Sequence, residues 1–445
     1  MVELSDGRAK TLRDAFQLCD AGPLEDEALE RYYVELSAVR SEEAMGSVDT
    51  RLSFFAPGAF GKVLFTGHRG CGKSTELRRL QKNWQQDYRV IYLETDVEID
   101  INDASYTDLY LVIIKQVTDD LAKLRLRFDQ SLLTDFENWF KEVTEENEAS
   151  VEKSVSLSTM AEAGVEIPFL SKLLAKLLAQ IKGSEMQKKK IRETLQQDIG
   201  RLKVDMNRLL EDALKKVQQV GYKKGYLIIF DNLDRMPPEV GNRLYFDYAT
   251  QLQDLNCTVI YTVPISVVYS DKNLSNAFGP PNVVPMVNVY HFDPAALHLE
   301  YDSDALKRLA KLITRRIDHK ILFANEEIIL ELVAASGGHV RLLMQMTATA
   351  CLIAATHKHA QVEEEDVKYA IRKERINFER LIPARHYALL AEVCKTKQLD
   401  QNEDGQKMLS NISVLEYEGM ERWNYVYPAV KDITPFKAAL GKTLD

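Results

Sequence analysis

One run of residues constrains this chain more than any other: Gly67-His68-Arg69-Gly70-Cys71-Gly72-Lys73-Ser74 fits the GxxxxGK[ST] pattern at every position. It follows an apolar run, Lys62-Val63-Leu64-Phe65-Thr66, and precedes a helix pattern carried by Leu77 and Leu80. Glycines in such a turn let backbone N–H groups approach phosphate oxygens with no Cβ in the way, and the N-terminus of the following helix adds a positive dipole end. Residues Gly67 to Thr75 are therefore predicted to cradle a nucleoside triphosphate. Lys73 would reach the β- and γ-phosphates and the Ser74 hydroxyl would ligate Mg2+. Cys71 is read as a small loop residue only.

A loop of this kind needs an acidic partner at the end of a neighbouring buried strand. The segment Tyr226-Leu227-Ile228-Ile229-Phe230-Asp231-Asn232-Leu233-Asp234-Arg235 supplies it. Asp231 ends the apolar run as the metal-side carboxylate. Asp234 reads either as the group that orients or activates the attacking water or as a helix N-cap. Further strands are expected at Arg89–Leu93, Cys257–Val263 and Val283–Val289. Continuous apolar strands separated by helices imply an α/β fold with a parallel sheet covered on both faces.

Between about Asp119 and Gly221 there is no strand signal. Apolar residues at Ile191, Leu195, Ile199, Leu202, Met206, Leu209, Ala213, Val217 and Val220 predict one long amphipathic helix stopped by Gly221. With the amphipathic stretch Phe169–Leu178, it reads as a helical insertion packed on its own core, with contact to a membrane surface or a partner as the other option. After Pro294 the pattern is helical, at about Asp304–Asp318, Glu326–Ala335, Val340–His357 and Glu364–Phe378. Beyond Leu381, two helices and the apolar pair Ser413–Tyr417 and Trp423–Tyr427 around Gly419 read as a winged helix. The expected order is an N-terminal segment (1–60), a phosphate-loop core (61–295, insertion about 119–221), a helical lid (296–380) and a winged helix (381–445).

Composition narrows the partners. The 445 residues carry 57 Lys plus Arg against 67 Asp plus Glu, a formal charge of −10, with 45% hydrophobic and 28% charged residues, which excludes disorder and disulfide scaffolds. An acidic chain is a poor general nucleic-acid binder unless its cations cluster. The dense basic run Lys188-Lys189-Lys190 reads as a solvated helix start. Five scattered cysteines and no CxxC fit a reducing cytoplasm, and no stretch reaches the roughly 18 apolar residues of a membrane span. The eight histidines, His357 and His359 among them, show no metal-ligand spacing with acidic partners.

Together the phosphate loop, the Asp231-Asn232-Leu233-Asp234-Arg235 segment, a strand ending at Thr262, the helical region with Ser336-Gly337-Gly338-His339-Val340-Arg341 and a terminal winged helix resemble the AAA+ ATPases. The arrangement is similar to the initiator (origin-recognition) branch and to the STAND signal-transduction ATPases. The resemblance spans about residues 30–435 apart from the insertion. It implies an ATPase that turns ATP and water into ADP and phosphate, with ATP and Mg2+ as ligands. It further implies Thr262 at the sensor 1 position, Arg341 as a sensor 2 arginine bridging lid and nucleotide, and Tyr33 beside the adenine ring. The chain departs from the pattern in three places. No glutamate adjoins Asp231, threonine replaces asparagine or arginine at sensor 1, and no arginine lies between Val263 and Pro281, where ring-forming relatives place one that reaches a neighbour. Arg235, Arg315 and Arg316 are the remaining candidates for that role, the last two also reading as helix-surface salt-bridge partners.

Two functions are compatible with this pattern. In the first, ATP clamps lid and winged helix against the core, making a slow nucleotide-controlled switch or assembly platform for a protein partner, with homo-oligomerisation open; the STAND resemblance implies bacterial anti-phage defence. In the second, the winged helix of an initiator, loader or transposition regulator grips duplex DNA, but residues 381–445 hold eight Lys plus Arg against nine Asp plus Glu. A small-molecule phosphotransferase would not need the two added domains.

Overall fold

A computed structural model describes residues 7–19, 22–144, 168–270 and 272–442. The six N-terminal residues and the part of the predicted insertion at 145–167 lie outside them. The central sheet contains β1 (Lys62–Gly67), β2 (Tyr88–Glu94), β3 (Gly225–Asp231), β4 (Thr258–Val263) and β5 (Asn282–Val284), all parallel, in the order β2-β3-β4-β1-β5. β4 thus lies between the phosphate-loop strand and the acidic strand, with Phe65 opposite Thr262 and Phe230 opposite Tyr261.

Strand alternation sends successive side chains to opposite faces. Val63, Phe65, Leu227, Ile229 and Ile260 join one core, shared with the lid and the C-terminal hairpin. Leu64, Ile228, Phe230, Val259 and Tyr261 join the other, shared with the insertion helices. The expected α/β fold with both faces covered is the one observed, but the described helices of the insertion share the sheet's core and have none of their own. Helix Phe169–Gly183 buries Leu170, Leu173, Leu174, Leu177, Leu178 and Ile181 within the core that reaches β3. No helix among the described residues is long and apolar enough to cross a membrane.

The single long helix expected up to Val220 is two, Glu185–Gln197 and Ile199–Gln219, because Asp198 leaves helical geometry (φ −120°, ψ 37°) and its carboxylate accepts from Trp139 Nε1 at 3.3 Å. The apolar face is the predicted one up to Val217, but Val220 lies past the helix end and is exposed. Lys188 is a correction: instead of belonging to a solvated run it is buried, paired with Asp103 at 3.1 Å and Glu185 at 2.6 Å. The strand expected over Val283–Val289 ends at Val284. Pro285 has no N–H to continue the ladder, and beyond it Met286 N–H goes to Glu416 O and Asn288 N–H to Val39 O.

The lid comprises helices Ser303–Thr314, Glu327–Ala335, Val340–His357 and Glu364–Leu381. Helices His386–Thr396 and Glu403–Ser410 then lead to the antiparallel pair β6 (Val414–Glu418) and β7 (Arg422–Val426), as a winged helix requires. This hairpin is docked, not free. Trp423 stacks on Tyr417 and Phe292 with centroids 4.4 and 5.0 Å apart, and Tyr425 packs on Tyr290.

Candidate nucleotide site

The loop after β1 turns through Gly67, Gly70 and Gly72, all at positive φ (146°, 87° and 104°), and enters helix Lys73–Trp84. Lys73 is buried; its Nζ donates to Gly67 O (2.9 Å) and His68 O (2.7 Å) and pairs with Asp234 Oδ2 at 2.9 Å. Burial pulls the ammonium's pKa down, but the Asp234 carboxylate, helped by Asp231, outweighs it and the net shift is upward. Asp234 lies in the one-turn helix Leu233–Arg235, whose preceding Asn232 has φ 68°. It caps nothing: its side chain serves Lys73.

The turn is held from two sides. Asp96 accepts from Asn232 Nδ2 and pairs with Arg235, both at 2.7 Å. Thr262 is fully buried on β4; its hydroxyl donates to Phe230 O at 2.9 Å and accepts from Asp234 N–H at 3.4 Å. Asp231, 3% exposed, accepts from Tyr92 OH at 2.6 Å and from Asn232 N–H at 2.8 Å.

Lys73, Asn232, Asp234 and Arg235 border a cleft of about 930 Å³, counted with its open mouth, which also takes in Ser74, Thr75 and Tyr33, whereas Asp231 and Thr262 stand behind its lining. Arg40, Arg69, Lys73, Arg235, Arg316 and Arg341 line it against only two carboxylates, Glu76 and Asp234. A chain of net charge −10 therefore concentrates cations in this cleft. Burial, then Arg235 and Arg69, lowers the Arg341 pKa, so a polyanion placed there would relieve cation crowding. Val34, Leu36, Leu312 and Met344 form the apolar wall. The Tyr33 hydroxyl is 3.2 Å from the Glu76 carboxylate, while Tyr32 turns into the core and donates to Gly7 O. Thr75 Oγ1 accepts from Leu24 N–H and ties the N-terminal segment to the loop helix.

Arg315 and Arg316 are not the surface salt-bridge partners expected of them: Arg315 donates to Tyr33 O, and the buried Arg316 donates to Leu312 O at 2.8 Å beneath the Tyr32 ring. Sequence reasoning also passed over Arg40, which donates to Cys71 O at 2.5 Å, and over Tyr92 and Asp96. Nothing local marks these three, since each meets the loop or the turn only across the sheet or from a remote helix.

Two histidines join the loop to the later domains. His339 caps helix Val340–His357: its Nδ1 accepts from Leu342 N–H at 3.1 Å, so Nε2 carries the proton and donates to Arg69 O at 2.8 Å. Arg341 N–H donates to Gly70 O at 3.1 Å. Gly70 (φ 87°) allows this approach, because a Cβ there would stand 2.5 Å from His339 Cε1 and 2.9 Å from Arg341 Cβ. His68 is fully buried, and its Nε2 accepts from Glu416 N–H of β6 at 2.8 Å. Tyr417 OH donates to Gly337 O at 2.6 Å. Loop, lid and hairpin thus meet at one point.

Burial, with Lys73 and the facing imidazole, lowers His68 to about 3; burial, with Arg341 and Lys73 and against the Arg69 carbonyl, lowers His339 to about 4. Both native rings are neutral, whereas an unfolded chain protonates them near pH 6.5. Their contribution to stability is complete above that pH and is lost as pH falls toward the folded values. Going from about pH 7 to about pH 5 should cost roughly 2 kcal/mol per ring. Melting curves across that range should therefore flatten in His68→Gln and His339→Gln relative to the unchanged chain; parallel curves would contradict the assignment.

No protein-family model and no curated protein matches the chain. Among solved structures it is similar to the ORC2 protein of Aeropyrum pernix in ADPNP–ADP complexes (11% identity, TM-score 0.41, 95% of this chain and 100% of that one). It is also similar to Cdc6p from Pyrobaculum aerophilum (13%, TM-score 0.38, 95% and 100%) and to a Walker-type ATPase of Pyrococcus abyssi (13%, TM-score 0.43, 95% and 99%). Likenesses this distant assign no chemistry to the chain.

Proposed function

We propose that this chain is an ATP-binding, ATP-hydrolysing switch of the AAA+ kind, in which nucleotide occupancy sets how the lid and the C-terminal hairpin sit on the core. The observation that carries this is the convergence on one phosphate loop of Arg341 and His339 from the lid and of β6 through His68. A triphosphate in the cleft meets Lys73, Arg69, Arg235 and Arg341, which come from the loop, the acidic turn and the lid. Charge on the γ-phosphate would draw the last two together and close the lid angle.

The all-oxygen pair Ser74 hydroxyl and Asp231 carboxylate fits Mg2+, which would supply charge neutralisation at the phosphates. Lys73 is shared: phosphate and Asp234 compete for one ammonium. When the phosphates take Lys73, the Asp234 carboxylate is released to orient and accept a proton from the attacking water. Thr262 holds the turn that carries Asp234 and does so through its backbone N–H. Arg235 faces this chain's own cleft while pairing with Asp96, and Arg316 donates to a backbone carbonyl. This supports slow hydrolysis governed within one chain, with a protein partner reading the lid and hairpin.

The duplex-gripping alternative gains no specific support, since Arg422 is paired with Glu416 (3.7 Å) over the Tyr269 ring, and Glu418 and Glu421 stand near the hairpin tip. We do not extend the proposal to anti-phage defence, which no feature of the site addresses. Hydrogen exchange of the intact protein with and without ATP or a slowly hydrolysed analogue, in Mg2+, tests the switch. Altered protection at 337–344 and 414–426 is expected. Nucleotide binding that leaves both segments unchanged would overturn it.

A further inference from the structure

The sequence reading finds no metal-ligand spacing among the histidines, and the fold corrects this. Helix Val340–His357 ends with Lys358 in the left-handed region (φ 63°), which reverses the chain so that His359 returns beside His357, ring centroids 5.3 Å apart. Both Nδ1 atoms face the same buried carboxylate: His357 to Asp366 Oδ1 at 2.9 Å and His359 to Asp366 Oδ2 at 2.8 Å. Glu365 adds an oxygen 3.3 Å from His359 Nε2. One donor atom from each of His357, His359, Glu365 and Asp366 lies within 4.8 Å of the others.

From this convergence we propose that the lid carries a transition-metal site of the zinc class, ligated by His357, His359, Glu365 and Asp366. Zinc bonds of about 2.0–2.2 Å in a tetrahedron put ligand atoms roughly 3.4 Å apart. The exposed side chains of His357 and Glu365 need move only about an ångström inward to reach that spacing. Two neutral imidazoles with two carboxylates give a ligand charge that a dication cancels. Nitrogen donors select Zn2+, Ni2+ or Cu2+ over Mg2+. Asp366 is already oriented, because it also accepts Glu363 N–H at 3.0 Å as part of the capping box of helix Glu364–Leu381.

The metal would cross-link the end of the helix that carries Arg341 in its first turn to the start of the helix that leads into the winged region. Loop and metal site stand at opposite ends of an 18-residue helix, about 27 Å apart, so the two can be lost independently. The test uses the full-length protein, stripped with EDTA, dialysed and titrated with ZnCl2 by calorimetry. One equivalent should bind, unaffected by millimolar MgCl2, and ATP binding should not change. His357→Gln combined with His359→Gln should weaken Zn2+ binding at least about 100-fold, and Glu365→Gln, which leaves the capping box intact, about 10-fold. Absence of saturable Zn2+ binding, or binding unaltered in the two-histidine variant and in Glu365→Gln, would overturn the proposal.

Discussion

Replacing Lys73 with alanine is expected to abolish ATP turnover, a loss of about 10²–10³-fold or more, and to weaken ATP binding in parallel. The ammonium is a buried cation of the cleft, already desolvated and aimed by two loop carbonyls. A phosphate there replaces the Asp234 carboxylate at little reorganisation. The substitution should also destabilise the fold, because it leaves Asp234 buried beside no ammonium; breaking a pair of this kind costs on the order of 3 kcal/mol. Adding Asp234→Asn to Lys73→Ala should restore the melting temperature but not nucleotide binding, separating the structural effect from the ligand effect. Unchanged ATP affinity and turnover in Lys73→Ala would contradict the site.

Asp234→Asn alone should do something different. It frees Lys73 from its protein partner, so ATP binding should be retained or tightened, while removal of the group that accepts the water's proton should slow single-turnover hydrolysis by about 10²–10⁴-fold. Asp231→Asn should instead weaken the Mg2+-dependent part of binding, since Asp231 is held by Tyr92 and Asn232 at the strand end and not by Lys73. Binding with and without Mg2+, beside single-turnover rates, distinguishes the two aspartates. If Asp231→Asn alone slows hydrolysis and spares binding, the base assigned at Asp234 is wrong.

Much of this was legible in the chain because its signals are local. Phosphate-loop spacing, the apolar strand ending in Asp231 and the glycines before His339 each depend on neighbours within a few residues, where backbone sterics and periodicity act. Helix Val340–His357 matches its pattern to the residue. The misread elements failed for physical reasons of longer range. The break at Asp198 depends on Trp139 from another helix. The early end of β5 comes from Pro285 and from donors captured by Glu416 and Val39. Lys188 looks solvated until Asp103 is folded against it.

By itself, then, the sequence determined a parallel α/β core with a nucleotide loop, a helical lid and a hairpin, because these follow from spacing along the chain. Only the tertiary structure decided that His68 touches β6, that six cations converge on the cleft of an acidic protein, and that two histidines share one aspartate. Those contacts join residues remote along the chain or set by a single backbone reversal. Their energies come from burial and pairing, which have no signature until the chain has closed on itself.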